Sequence, residues 1–237
     1  MYNSLFCRLY NEFGWNEYPR AFAEELLEWL EVHHIQIHTA LDLGCGTGVL
    51  CEALHDHGIE TLGIDLSTDM IAIAQERAPH LSYTVADMVT FSPSSRFDLV
   101  TCTGDALNHI TDTCDLRKVI VNVWDALNPG GLFVFDLLND SEVPDGEPFE
   151  TDFDGGMTVR FSVDKSAAGF TTLRIDGYKN GVHAFSEAIR ERVYGVLEIC
   201  EMLADAGFEI IQCGDSLLKG KQSTTWYVVA RKNEREG

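Results

Sequence analysis

From residue 39 to residue 137, short apolar runs alternate with amphipathic helical patterns, and this alternation narrows the chain to a sheet with helices on its faces. Residues 39–43, 60–64, 81–85, 97–102 and 132–137 read as strands. Helical patterns fill 49–57, 68–78 and 115–127 between them. Gly58 closes the first helix, Pro79 follows the second, and Asn128-Pro129-Gly130-Gly131 forms a turn after the third. Ser67 and Thr68 supply a start signal for the second. Strand–helix–strand units close as right-handed crossovers, so these strands should pair in parallel. The pattern resumes near the C-terminus with a helix over 196–206, stopped by Gly207, and strands over 208–212 and 225–231. The expectation is an α/β fold with a seven-stranded, mostly parallel sheet flanked by helices.

Two segments stand outside this pattern. Residues 139–156 are acidic and rich in Pro and Gly, and read as a loop. Residues 157–194 carry β-like runs separated by turns at Ser166-Ala167-Ala168-Gly169 and Lys179-Asn180-Gly181. Asn-Gly is a strong hairpin signal, so a small antiparallel insertion of about three strands is expected over 139–194. The main domain would then comprise 1–138 and 195–237. At the other end, Phe22, Leu26, Leu27 and Leu30 recur at helical spacing, which predicts a helix over 19–33. The aromatic, turn-rich stretch from Leu9 to Trp15 belongs to an N-terminal arm of about 20 residues.

The charge balance restricts partners. Thirty-eight acidic residues against 17 basic ones give a net charge of −21. Such a surface repels phosphate backbones and acidic membranes, so neither nucleic acid nor membrane is expected as a partner. No apolar run reaches the roughly 18 residues that span a bilayer, and no secretion signal opens the chain, so a cytoplasmic location is expected. Seven cysteines, none spaced C-x-x-C, argue against a disulfide framework and against a metal site.

Chemistry concentrates at Leu41-Asp42-Leu43-Gly44-Cys45-Gly46-Thr47-Gly48, which leaves the first strand and opens a helix. Glycines let the backbone turn sharply and let a ligand approach it, and the helix start offers free N–H groups. A dinucleotide fingerprint requires glycine where Val49 stands, so that pattern fails. G-x-G-x-G after an acid resembles the first motif of class I S-adenosylmethionine (SAM)-dependent methyltransferases. Asp65, 21 residues after Gly44, ends the second strand, where a carboxylate can accept from both ribose hydroxyls. The ordered resemblance covers residues 39–138 and implies a Rossmann-like sheet with SAM as cofactor. It implies contacts to SAM from Gly44, Cys45, Gly46, Gly48, Asp65 and Leu66, from Asp87 and Met88 after the third strand, and from Thr103 after the fourth.

The resemblance extends to the small-molecule members. Their N-terminal tyrosines close over SAM, which points to Tyr10 and Tyr18, with Arg20 placed to pair with the SAM carboxylate. Relatives carry E-x-H-x-x-R-x-Y at the end of a β-lid. Here Glu187, Arg192 and Tyr194 fit, while Ile189 replaces the histidine. Asp105 and His109, after the fourth strand, are candidates to face the acceptor, as are Arg192 and Tyr194. Arg192 has a second reading as a bridge to the acidic segment 140–154. The implied activity is in-line methyl transfer to nitrogen or oxygen of a small molecule, by a monomer or homodimer. A SAM-binding module without turnover and an NAD-dependent oxidoreductase remain as alternatives.

Overall fold

The structure is a computed structural model that describes residues 2–139, 147–218 and 225–233. Its elements in chain order are α1 (Ser4–Leu9), α2 (Glu17–Val32), β1 (Thr39–Leu43), α3 (Val49–Asp56), β2 (Glu60–Asp65), α4 (Thr68–Arg77), β3 (Ser82–Val85) and β4 (Phe97–Cys102). A 3-10 turn (Ala106–His109) leads to α5 (Thr113–Ala126) and β5 (Leu127–Leu138). Then come β6 (Phe149–Phe153), β7 (Met157–Ser166), β8 (Phe170–Lys179), β9 (Val182–Arg192), α6 (Val196–Ala206), β10 (Phe208–Gly214) and β11 (Thr225–Lys232).

Seven strands form one sheet in the order β10-β11-β5-β4-β1-β2-β3. The pairs among β3, β2, β1, β4 and β5 are parallel, and only β11 runs against its neighbours. Strand alternation divides the core between two faces. Phe133, Phe135 and Leu137 point to the side of α5 and α6, where Val119, Trp124 and Leu203 pack. Leu132 and Val134 point to the opposite side, against Phe22, Leu26 and Trp29 of α2. Burying a large apolar side chain of this kind contributes about 1.5–3 kcal/mol. The end of α5 is closed by a buried cation: Lys232 Nζ donates to the carbonyls of Trp124 at 2.6 Å and Leu127 at 2.8 Å.

The chain runs from β1 outward to β2 and β3 on one side, then returns to β4 and β5 on the other. This reversal opens a crevice beyond the carboxyl ends of β1 and β4, the place where open α/β sheets take ligands.

A second sheet, β6-β7-β8-β9, is antiparallel throughout. It has four strands rather than the three expected, because β6 falls within the segment read as a loop. Of the acidic segment expected over 139–156, residues 140–146 lie outside the described residues. The hairpin at 179–181 forms as expected, with Asn180 and Gly181 both at positive φ, +50° and +78°. The expected turn at 128–131 is instead the irregular start of β5. There Leu127 pairs with Phe97, the register shifts, and pairing resumes at Leu132.

The arm is more regular than its sequence suggests. Asn3 caps α1 by accepting from the Leu5 N–H at 2.9 Å. Phe6 and Leu9 of α1, with Phe13 and Trp15 behind them, join Val159, Phe161, Ile175 and Phe185 of the second sheet in one apolar cluster. The arm thus packs on the second sheet and spans the crevice with it.

Candidate active site

Two chambers and a small recess meet at the crevice. The first chamber, about 400 Å³, is floored by Gly44 and Gly46 after β1 and walled by Asp65 and Leu66 after β2. Asp87 and Met88 after β3, and Thr103 and Gly104 after β4, complete the wall. Tyr2 and Tyr10 of the arm and Ala188, Ile189 and Arg190 of β9 line it from above. Its volume lies within the roughly 300–1,000 Å³ common for small-molecule sites.

The glycine loop has the shape it has because three of its residues take positive φ: Gly44 at +72°, Gly46 at +52° and Gly48 at +78°. A Cβ on Gly44 would lie 2.9 Å from the Ala106 Cβ, whereas one on Gly46 would meet nothing within 4 Å. The loop is therefore closed against the post-β4 segment at Gly44 and open to a ligand at Gly46. Asp65 fixes the loop from the side. Its Oδ2 accepts from the Gly46 N–H at 2.9 Å and its Oδ1 from the Ser67 N–H at 2.8 Å. Each oxygen keeps further acceptor capacity. Burial pushes the Asp65 carboxyl up against the opposing pull of those two N–H groups. Asp87 Oδ1 accepts from the Val89 N–H at 2.8 Å, which sets the turn that carries Met88.

The recess, about 50 Å³, lies below the glycine loop and is bounded by Tyr10, Tyr18, Asp42, Cys45 and Thr103. Tyr18 donates to the fully buried Asp136 at 2.5 Å. Asp136 also accepts from the N–H groups of Gly104 at 2.8 Å and Asp105 at 2.9 Å, so one carboxylate of β5 ties the start of α2 to the loop after β4. Asp42 is buried as well, accepts from Thr101 Oγ1 at 2.8 Å, and is pushed up to about 7 by burial.

The second chamber, about 540 Å³, lies under the second sheet. Phe13, Trp15, Phe153 and Phe161 form apolar walls, and Asp105 and Glu191 are its carboxyl groups. Burial, with Asp136 and Glu191 close by, holds the Asp105 carboxyl well above the usual carboxylate range. Burial pushes Glu191 up to about 7, partly opposed by the Thr171 hydroxyl. His109 lines the first chamber and reaches toward the second, with Nε2 3.7 Å from Glu191 Oε1. Burial depresses its basicity.

Of the residues singled out from sequence, Tyr10, Gly44, Gly46, Asp65, Leu66, Asp87, Met88, Thr103 and His109 converge on the first chamber. Tyr18 and Cys45 line the recess instead. Gly48 lines none of the three spaces and serves a close approach, since a Cβ there would lie 2.5 Å from the Tyr83 hydroxyl. Arg20 is exposed on α2 and lines none of the three spaces. Asp105 borders the second chamber. Arg192 does not reach a chamber: its guanidinium donates to Thr113 Oγ1 and lies 3.4 Å from Glu198, joining β9 to α5 and α6. Tyr194 is buried and donates to the Ile110 carbonyl. Both hold the second sheet to the main sheet. The sequence reading missed Asp136, although a lone acid inside the apolar run 132–137 was a signal. It also missed Tyr2 and Glu191, which reach the site only through tertiary packing. Among the described residues, no group of three or more His, Cys, Asp or Glu is placed to hold a metal ion, and no helix is long and apolar enough to cross a membrane.

Comparison with known proteins agrees with this geometry. Residues 40–131 match the sequence profile of a methyltransferase domain family. The Bacillus subtilis protein YqeM, which carries the name methyltransferase, is 26% identical over 79% of this chain and 80% of its own length. The ubiquinone biosynthesis O-methyltransferase of Methylococcus capsulatus is 36% identical, but over 47% of this chain, which spans about half (51%) of that relative. Among solved structures, the SAM-bound amino pentose methyltransferase CalS10 of Micromonospora echinaspora superposes with a TM-score of 0.76 at 23% identity, over 98% of each chain. That likeness establishes a shared fold.

Proposed function

We propose that the chain is a class I SAM-dependent methyltransferase that transfers the SAM methyl group to a nitrogen or oxygen nucleophile of a small molecule, a reading supported by the methyltransferase-domain match over residues 40–131 and by the likeness to YqeM. The observation that carries this reading is the convergence of the glycine loop, Asp65 and Asp87 on one chamber at the point where the sheet reverses direction. The residues fit the cofactor. Gly46 leaves open backbone where a ligand approaches, and Asp65 has spare acceptor capacity for ribose hydroxyls. Leu66 and Met88 offer apolar contact to an adenine ring, with Asp87 beside them. Tyr10, Tyr18 and Thr103 around the recess are assigned to the amino-acid end. Arg20 receives no role in this assignment.

SAM supplies a methyl carbon already activated by its sulfonium. The protein's own work is to align the acceptor, exclude water and handle a proton. The second sheet, within residues 139–194, and the arm supply the exclusion as a joint lid. Asp105, Glu191 and His109 are the titratable groups at hand for the proton. A small acceptor is supported by the size of the second chamber, about 540 Å³, by the strongly acidic composition, and by the fold likeness to an enzyme described as acting on an amino pentose.

The test is incubation of the full chain with SAM and fractionated metabolite pools, followed by mass spectrometry. S-adenosylhomocysteine should appear together with a product 14 mass units heavier than one pool component. Absence of S-adenosylhomocysteine above an enzyme-free control in every pool counts against the reading.

A further inference from the structure

We infer that the second chamber is the methyl-acceptor site and that it takes an amine on an apolar, ring-sized body, its nitrogen held by Asp105 and Glu191. This rests on the methyltransferase reading above and specifies its acceptor.

Three observations support it. First, the chamber has the shape and surface for an apolar body: Phe13, Trp15, Phe153 and Phe161 wall a space of about 540 Å³. Phe13 and Trp15 hold each other edge-on at 5.6 Å, and Phe13 lies 4.9 Å from Phe153, so the wall is preformed. Aromatic faces of this kind also attract cations.

Second, the described residues that line the chamber offer its carboxyls no cationic side chain. The Asp105 carboxyl accepts no hydrogen bond from any described residue, although its own N–H donates to Asp136. No lysine or arginine is among the described residues that line the chamber. Among the described residues, the Glu191 carboxyl meets the Thr171 hydroxyl at 3.4 Å and His109 at 3.7 Å. Among the described residues these two part-buried carboxyls have no lysine or arginine beside them, and an ammonium with several N–H donors would serve both at once. A carboxylate or phosphate ligand would face repulsion, and an alcohol offers a single donor.

Third, this chamber adjoins the first one. The loop after β4 gives Gly104 and Ala106 to the first chamber and Asp105 to the second. His109 and Glu191 face each other across the boundary.

The chemistry closes on these groups. An ammonium enters and passes a proton to Glu191, whose carboxyl is tuned by burial to about 7. The freed nitrogen lone pair forms the new N–C bond as the C–S bond of SAM breaks. That bonding pair leaves on sulfur, and the positive charge passes to nitrogen as an N-methylammonium. His109 Nε2 lies 3.7 Å from Glu191 at the boundary between the chambers.

The test uses the full chain saturated with S-adenosylhomocysteine, so that no turnover intervenes. Affinities are measured by ligand-observed NMR for 2-phenylethylamine, 2-phenylethanol and 3-phenylpropionate, which share one shape. The amine should bind at least about tenfold more tightly than either counterpart, and Asp105→Asn or Glu191→Gln should weaken it about 10–100-fold. S-adenosylhomocysteine affinity, measured in parallel, reports that each variant is folded. Equal or tighter binding of the alcohol or carboxylate overturns the inference, as does binding of none of the three, or amine binding undiminished in both variants. Failure of S-adenosylhomocysteine to bind the wild-type chain would instead sink the methyltransferase reading, while the amine preference is still read without it.

Discussion

At the end of β2, one carboxylate does two things. Asp65 takes an N–H from the glycine loop and another from the start of α4, and it still faces the first chamber. Removing it costs the ligand a charged acceptor, an effect of about 1.5–3 kcal/mol for a hydrogen bond to a charged group. Asp65→Ala should therefore bind SAM about 10–100-fold more weakly by calorimetry. An unchanged affinity would remove the ribose assignment. Gly44 makes a different prediction. Its φ of +72° disfavours any side chain, and an added Cβ would press on Ala106 at 2.9 Å. Gly44→Ala should lower stability by about 1–3 kcal/mol, read as a drop in Tm, because overpacking and strain add. A variant that melts with the wild type would mean the loop adapts freely.

Among elements, the junction between the two sheets depends on a few buried polar contacts. Asn108 is fully buried on the 3-10 turn. Its Nδ2 donates to the Arg192 carbonyl at the end of β9 at 2.8 Å, and its Oδ1 accepts from the Leu138 N–H at the end of β5 at 3.0 Å. Asn108→Ala leaves both groups without their partner, at about 1–3 kcal/mol each. A fall in Tm of several degrees is expected, together with faster proteolysis of the second sheet. Neither change would appear if Asn108 were incidental to the junction.

The same scale explains how much could be read in advance. The five strands from β1 to β5, with the glycine loop and Asp65 between them, were legible because each is a local signal of apolar run, turn or cap. β6 was not, because Phe149–Phe153 alternates weakly within an acidic stretch and owes its strand form to pairing with β7. The six-residue helix α1 was also missed, being held by packing on the second sheet rather than by its own periodicity. In the site, loop motifs were legible, whereas the partnership of Asp105 with Asp136 and Glu191 joins residues far apart in sequence. Arg192 and Tyr194 were legible as residues but not as struts, since their partners Thr113 and Ile110 lie on another element.

The whole molecule carries a burden of negative charge, −21 in sum, and part of it is buried at the site. Burial raises the Glu191 carboxyl from 4.5 to about 7 and the Asp42 carboxyl from 3.8 to about 7. The folded state therefore binds more protons than the unfolded state between those limits, and stability falls as pH climbs through them. Asp105 and Asp136 are shifted in the same direction. The unliganded protein should melt higher near pH 5 than near pH 8, and Glu191→Gln should flatten part of that slope. A Tm that rises over this range would contradict the burial account. Added salt should raise Tm as well, by screening the self-repulsion of the surface.

The central claim is that the first chamber is built for SAM, and titration of SAM into the full chain in a calorimeter tests it most directly. The account predicts saturable one-to-one binding in the micromolar range, with no competition from NAD. No heat at millimolar SAM, or saturable binding of NAD in its place, would contradict it.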